Sequence, residues 1–195
     1  MILAAGASER LGSPKALLPF GDRTVLSRQV ERAVEAGVDA GVIVTGDADE
    51  AIRAAVDPAP FRWIRNPEPD SGRTGSLRCG LAHVPEEADI LMWPVDRPLA
   101  SLATVQSLLE RAGSGEIARP ETGGRCGHPV LLPATVRSAI EEADPDANLR
   151  GVLAATGAGV TRVRVGDPGI HFNLDTREAY EMALAWWSDR NPQFG

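Results

Sequence analysis

The sequence predicts an α/β fold: a mostly parallel sheet flanked by helices in three layers. Two observations carry that expectation. Short apolar runs alternate with segments of helical spacing along the whole chain, which is the pattern of strand–helix units feeding one sheet. Polar residues capable of chemistry fall where apolar runs end, at positions far apart in sequence. Open parallel sheets gather their ligands at that edge, outside the carboxyl ends of the strands.

Residues 1–5 read as a buried strand. Gly6, Ala7 and Ser8 follow, small residues that let a backbone approach a ligand closely. Arg10 and Lys15 come next, with a Gly-Ser-Pro turn between them, and the apolar run 16–20 would anchor the loop. Residues 24–36 carry Val25, Leu26, Val30, Ala33 and Val34 at helical spacing, and Gly37 ends that helix. The continuous apolar run 41–45 (GVIVT) is a strand, and 47–56 a short helix with Asp47 and Glu50 spaced as a capping box. A third strand at 61–64 leads into a polar loop, 65–73, and then a helix over 74–84, capped at Thr74 or Ser76. A fourth strand (89–95) precedes a helix at 101–112 capped by Ser101. Strand-like 117–119 and 129–132 bracket a glycine-rich connection. Helical segments at 134–143 and 149–156 precede a strand at 160–165, and the last helix runs over 177–187 with a loosely held tail beyond Asp189. No repeat, low-complexity segment or linker interrupts this pattern, so one domain over 1–195 is expected.

Composition removes several classes. With 20 basic and 27 acidic residues the net charge is −7, the wrong sign for a nucleic-acid binder. An anionic ligand must therefore be met by local cations, which gives Arg10 and Lys15 weight. Cys79 and Cys126 form neither metal-type spacing nor a disulfide framework, consistent with a reducing cytoplasm. No apolar run approaches membrane-spanning length and no leader pattern precedes the first strand, so no membrane association is expected.

A strand that spills into a Gly-containing loop with fixed positive charge is suited to phosphates. Two familiar phosphate loops are excluded by spacing. Gly6 and Gly12 enclose five residues and Lys15 lies three beyond Gly12, which does not fit a Walker A loop; Ser8 occupies the second glycine of a dinucleotide fingerprint. The stretch instead resembles the signature of sugar-nucleotide-type nucleotidyltransferases, L-A-x-G-x-x-x-R-(M/L)-x-x-x-K-x-L, with Leu3, Ala4, Gly6, Arg10, Leu11, Lys15 and Leu17 in register. Within that MobA-like NTP transferase superfamily, L-A-A-G followed by P-K-A-L-L-P-F-G is similar to the molybdenum cofactor cytidylyltransferase branch. The resemblance implies a Rossmann-like nucleotidyltransferase fold. It also implies a few more residues ahead of Leu3 than the two present.

The same resemblance assigns roles. Leu3, Ala4, Ala5 and Gly6 would line the nucleotide, and Arg10 and Lys15 would hold its β,γ-phosphates. Asn66, Gly75 and Ser76 match the segment that reads base and ribose, whereas Arg73 and Arg78 stay open as phosphate or acceptor contacts. Asp96, in W-P-V-D-R-P, matches the magnesium-binding Asp of D-Q-P or D-M-P, with Arg97 a departure that either alters the site's electrostatics or points to solvent. Read alone, Asp96 is a turn former bonding its own backbone. Asp175, in H-F-N-L-D-T-R-E, keeps the second acid of D-I-D-T-P-E-D, and Asn173 replaces the first. Asp175 or Thr176 is also a natural N-cap, with Glu178 spaced to complete a box. His128, in G-H-P-V, and Asn173 would be acceptor contacts, although a His before Pro is more often a structural turn residue.

The implied reaction is Mg²⁺-dependent transfer of a nucleotidyl group from a nucleoside triphosphate, CTP in this branch, to the phosphate of a molybdopterin-type acceptor. Ala5, where guanylyl enzymes carry a second Gly, favours CTP. Relatives also act on other small phosphates, and Asn173 and Arg97 leave room for a catalytically silent nucleotide-binding or cofactor-insertion partner. A cytoplasmic protein handing its product to a molybdoenzyme or maturation chaperone is the implied setting.

Overall fold

The architecture is built outward from the first strand. In the computed structural model, which describes residues 1–6 and 11–192, β1 (Ile2–Ala4) sits in the sheet between β4 (Gly41–Thr45) and β6 (Ile90–Pro94), parallel to both. Beyond β4 lies β5 (Phe61–Arg65), again parallel. On the other side β9 (Val130–Leu132) pairs antiparallel with β6 and with β7 (Ile117–Thr122), and β10 (Val160–Arg164) closes the edge parallel to β7. The order is β10-β7-β9-β6-β1-β4-β5, with β8 (Arg125–Cys126) hairpinned onto β7. The sheet is thus mostly parallel, with β9 and β8 running against it.

Side-chain alternation along these strands divides the core into two layers. Ile2, Ile43, Leu91 and Trp93 face a cluster with Leu26 and Val30 of α1 (Val25–Glu35), Val105 and Leu108 of α4 (Leu102–Leu109), and Ala183 and Trp187 of α7 (Arg177–Ser188). Leu3, Val42, Val44 and Met92 face the opposite cluster. It is completed by Leu77 and Leu81 of α3 (Gly72–Leu81), Ile140 of α5 (Arg137–Glu142) and Leu149 of α6 (Leu149–Ala155). A strand buried on both faces reads as a continuous apolar run, which is why 41–45 shows no polar alternation. The fold is Rossmann-like, a mostly parallel sheet with helices on both faces.

Several caps form as expected. The Ser101 and Thr176 side chains accept hydrogen bonds from the Thr104 and Ala179 amides at the starts of α4 and α7, and Thr24, not singled out from sequence, does the same for the Ser27 amide of α1. Others need correction. The Asp47–Glu50 box does not form: Ala48 is the N-cap of α2 (Asp49–Ala55), and the buried Asp49 carboxylate instead accepts from the Thr45 hydroxyl and from Arg53 Nε at 2.7 Å. Thr74 and Ser76 are not caps either, because α3 begins at Gly72 and both lie buried inside it. Thr176, rather than Asp175, caps α7, which leaves the Asp175 carboxylate for other partners. The tail is fastened for two residues past Asp189, since Arg190 stacks on Trp186 and Asn191 bonds the Trp187 carbonyl. The short hairpin β2 (Pro19–Phe20) and β3 (Arg23–Thr24), turned at Gly21 with φ +66°, was not foreseen.

The strand ends are close-fitted. A Cβ at Gly46 would lie 2.4 Å from the Ala5 carbonyl oxygen and 2.8 Å from Pro69 Cβ, whereas one at Gly166 meets nothing within 4 Å. Gly46→Ala should therefore cost about 1–3 kcal/mol as an overpacked site, at roughly 2–4 °C per kcal/mol for a chain of this size. Thermal unfolding of Gly46→Ala beside Gly166→Ala checks this; equal melting temperatures would show that the β1–β4 edge can yield.

Candidate active site

Because β1, β4, β5 and β6 are parallel, their carboxyl ends share one edge and deliver Ala5, Gly46, Asn66 and Asp96 to it. The segment before α7 reaches the same edge through a backbone hydrogen bond from the Leu174 amide to the Asp96 carbonyl, 2.9 Å. This brings Asn173 and Asp175 beside residues far from them in sequence. Lys15, at the start of the 3-10 turn Lys15–Leu17, completes the link: its ammonium contacts Asp175 Oδ1 at 2.5 Å. Asn173 Nδ2 donates to the other oxygen of that carboxylate at 2.6 Å. Arg10 lies outside the described residues.

A cavity of about 190 Å³ at this edge is lined by Leu3, Ala5, Gly6, Lys15, Ser76 and Asp96, among others. Ala4 faces an adjoining space of about 320 Å³, together with Ala5, Gly6 and Gly12. Ser76 reaches the first cavity from inside α3. Asn66 is buried and does not line it. Its Nδ2 donates to Ser76 Oγ (3.2 Å) and to the Glu68 carbonyl (3.1 Å), and its Oδ1 accepts from the Glu68 amide (3.0 Å). Gly75 is also off the wall: a Cβ there would sit 1.9 Å from Ser71 Oγ, so its small size lets α3 close against the loop that precedes it.

Burial pushes the Asp175 carboxyl up, but hydrogen bonds from Lys15 and Asn173, with the charges of Lys15 and Arg97, outweigh it and hold the pKa below the usual value. Arg97 does not point to solvent. It sits 3.9 Å from Asp96 Oδ2, and its Nη1 donates to the His171 carbonyl at 3.4 Å. The family departure at this position therefore adds a cation beside both carboxylates. Among the described residues no group of three or more His, Cys, Asp or Glu forms a metal cluster. The oxygens that this edge offers are those of Asp96 and Asp175 and the buried Asn173 Oδ1, which has no hydrogen-bond partner among the described residues. All are hard oxygens, the chemistry that a Mg²⁺ or Mn²⁺ shared with phosphate oxygens requires.

A second cavity of about 700 Å³ adjoins the first, with Arg73, Arg119 and His128 set among apolar walls that include Ile117, Val130 and Leu153. His128 Nδ1 and Arg119 Nε are buried without hydrogen-bond partners. Burial, then the charges of Arg73, Arg97 and Arg119, lower the His128 pKa to about 3, so the ring is neutral at physiological pH. Sequence reasoning missed Arg119, for which a cation between Ala118 and Pro120 in the strand Ile117–Thr122 was the available signal. A further cavity of about 380 Å³, lined by Arg28, Trp186 and Trp187, shares no wall residue with either. No described helix is long and apolar enough to cross a membrane.

Residues 1–160 match the MobA-like NTP transferase domain. The chain is 34% identical over 148 residues to a nicotine blue oxidoreductase of Paenarthrobacter nicotinovorans, covering 72% of each protein. It is 28% identical to a molybdenum cofactor guanylyltransferase of Rhizobium meliloti, covering 98% of this chain and 94% of that one. Shorter matches to bifunctional GlmU proteins of Legionella pneumophila, 31% identical, span 24% of their length. Among solved structures, Rv0371c of Mycobacterium tuberculosis superposes with a TM-score of 0.82 at 30% identity, covering 94% of this chain and 96% of that one. A structure of Rv0371c in complex with manganese gives 0.81 at 28%, with the same coverage.

The Lys15–Asp175 pair has a titration signature. A depressed carboxylate contributes stability above its unfolded pKa, near 3.8, and loses it as pH falls through the lower folded value. Removing the ammonium takes away a hydrogen bond and a charge that both lower the pKa, so Lys15→Met should move the Asp175 midpoint upward in a carboxyl NMR titration. An unchanged midpoint would mean that the pair does not persist in solution.

Proposed function

The chain belongs to the MobA-like NTP transferase family, and from that premise we propose that it transfers CMP from CTP to the phosphate of a molybdenum-bearing molybdopterin, releasing pyrophosphate. One observation carries this reading: Lys15, Asp96 and Asp175 converge at the edge where the Leu3–Gly6 cavity opens beside a cationic groove. The nucleotide occupies the first cavity and the acceptor the second.

A phosphate monoester is already ionised near neutral pH, so the transfer needs no general base. A neutral His128 of low basicity is compatible with that, acting as a hydrogen-bonding group toward the acceptor. Catalysis then rests on orientation and charge neutralisation. Lys15 and Arg10 take the β,γ-phosphates and the negative charge that develops on pyrophosphate. Asp96 and Asp175 hold the divalent cation, Asn173 Oδ1 adds a neutral donor, and Arg97 moderates the carboxylates' charge. When bound, the metal supplies charge neutralisation at the phosphates. Asn66 serves the base site indirectly, by fixing Ser76 and the turn at Glu68. Mg²⁺ is the proposed ion, and the manganese complex of Rv0371c supports a divalent site in this fold. The whole chain acts as one catalytic domain, and its product passes to a molybdoenzyme or maturation chaperone.

The named guanylyltransferase relative supports a molybdopterin acceptor. For the base, the Ala5 methyl is buried on the cavity wall and its carbonyl is pressed against Gly46, so it cannot easily move aside for a purine. A second reading comes from the relative named as an oxidoreductase, in which the same cavities serve a redox reaction.

Pyrophosphate release with each nucleotide, Mg²⁺ and molybdopterin separates these readings. CTP should give the higher kcat/KM, and Ala5→Gly should narrow its lead over GTP. Equal use of GTP by the wild type would sink the cytidylyl assignment, and release with neither would favour the redox or silent alternatives. Lys15→Ala and Arg10→Ala should each slow single-turnover transfer ~10²–10³-fold, the scale for one transition-state donor. Near-normal rates in both would remove the phosphate site from the mechanism.

A further inference from the structure

We propose that Arg73 is a further catalytic residue, which holds the anionic nucleophile of the acceptor where the nucleotide cavity opens into the groove. The inference rests on the nucleotidyl-transfer reading and adds to it a residue and a demand on the acceptor. Of the residues lining the two cavities, only Gly72 and Arg73 line both. Gly72 has no side chain to offer, so Arg73 is the charged group at the junction. Lys15 lines only the nucleotide side, and Arg119 only the groove.

The backbone beneath Arg73 is fixed while its side chain is not. Thr74 Oγ1 donates to the Ala147 carbonyl at 2.7 Å, and the Gly75 amide donates to the Pro145 carbonyl at 3.0 Å, pinning the first turn of α3. The Arg73 side chain is exposed and has no hydrogen bond or ion pair among the described residues. Its charge nevertheless reaches His128, together with those of Arg97 and Arg119. A pinned backbone with an uncommitted guanidinium at a junction is what a residue serving two ligands needs.

In the transfer, an acceptor phosphate oxygen forms a bond to the α-phosphorus, the bond from that phosphorus to the bridging oxygen breaks, and pyrophosphate departs with the electron pair. Two anions must approach one another for this to occur. A guanidinium fork can bond an oxygen of each, lowering their repulsion and aligning the attack. The apolar part of the groove wall, with Met92, Ile117, Val130 and Leu153, then favours an acceptor that carries its anion at one end of an apolar or aromatic body.

The test uses the full chain with 1-naphthyl phosphate as the probe and 1-naphthol as its neutral counterpart. Calorimetry should show 1-naphthyl phosphate binding weakened about 10–100-fold in Arg73→Met, the worth of a charge-assisted hydrogen bond, and partly restored in Arg73→Lys. The melting temperature should stay at the wild-type value, because Arg73 has no hydrogen bond or ion pair among the described residues. Unchanged probe affinity in Arg73→Met, or equal binding of 1-naphthol and 1-naphthyl phosphate by the wild type, would overturn this inference alone. Failure of the wild type to bind either CTP or GTP would overturn the transferase reading and this inference with it.

Discussion

The hydrogen bond from the Leu174 amide to the Asp96 carbonyl is the contact on which the site's assembly depends. It fastens the segment ahead of α7 to the end of β6, and so sets Asp175 near Asp96. Lys15 then ties the turn Lys15–Leu17 to the same point through its contact with Asp175. Neither interaction is large in free energy. A backbone hydrogen bond contributes about 1 kcal/mol net, and an ion pair as open as this one, with Asp175 41% exposed, contributes less than a buried one would. Their importance is positional: three stretches of chain meet because two modest contacts agree.

That agreement needs a rigid support, which the sheet provides. β1 is covered on both faces and paired on both sides, so Ala5 and Gly6 leave the core in a fixed direction. The close fit of Gly46 against the Ala5 carbonyl removes one more freedom. Side chains carried on such strand ends hold their geometry through packing rather than through polar contacts alone.

The strands and helices were legible because each buried strand is short, apolar and bounded by turn residues, as 41–45 illustrates. The placing of Lys15 and Asp96 at the sheet's carboxyl edge was legible from a signature, which records spacing along the chain. What spacing cannot record is how a polar side chain divides its bonds. Asp49 turned back to Thr45 and Arg53 instead of sharing a cap between Asp47 and Glu50. Asn66 spent its amide on Ser76 and Glu68 rather than on the cavity. Arg119 escaped notice because its environment is made by α6 and β9, elements distant in sequence, which wall the same groove. The hairpin at Pro19–Phe20 and Arg23–Thr24 is too short for any periodicity to register.

The cationic cluster around His128 has a kinetic consequence. The chain as a whole carries −7, so an anion diffusing toward it meets repulsion at long range and attraction close to local cations such as Arg73, Arg97 and Arg119. Added salt screens the distant charges first, over a Debye length of about 10 Å at 0.1 M. Arrival and retention are thereby set against each other: moderate ionic strength speeds the encounter by muting the bulk repulsion, while it loosens the complex once the anion is seated. For an anion seated at this cluster, the ionic medium would govern both how readily it lands and how long it stays.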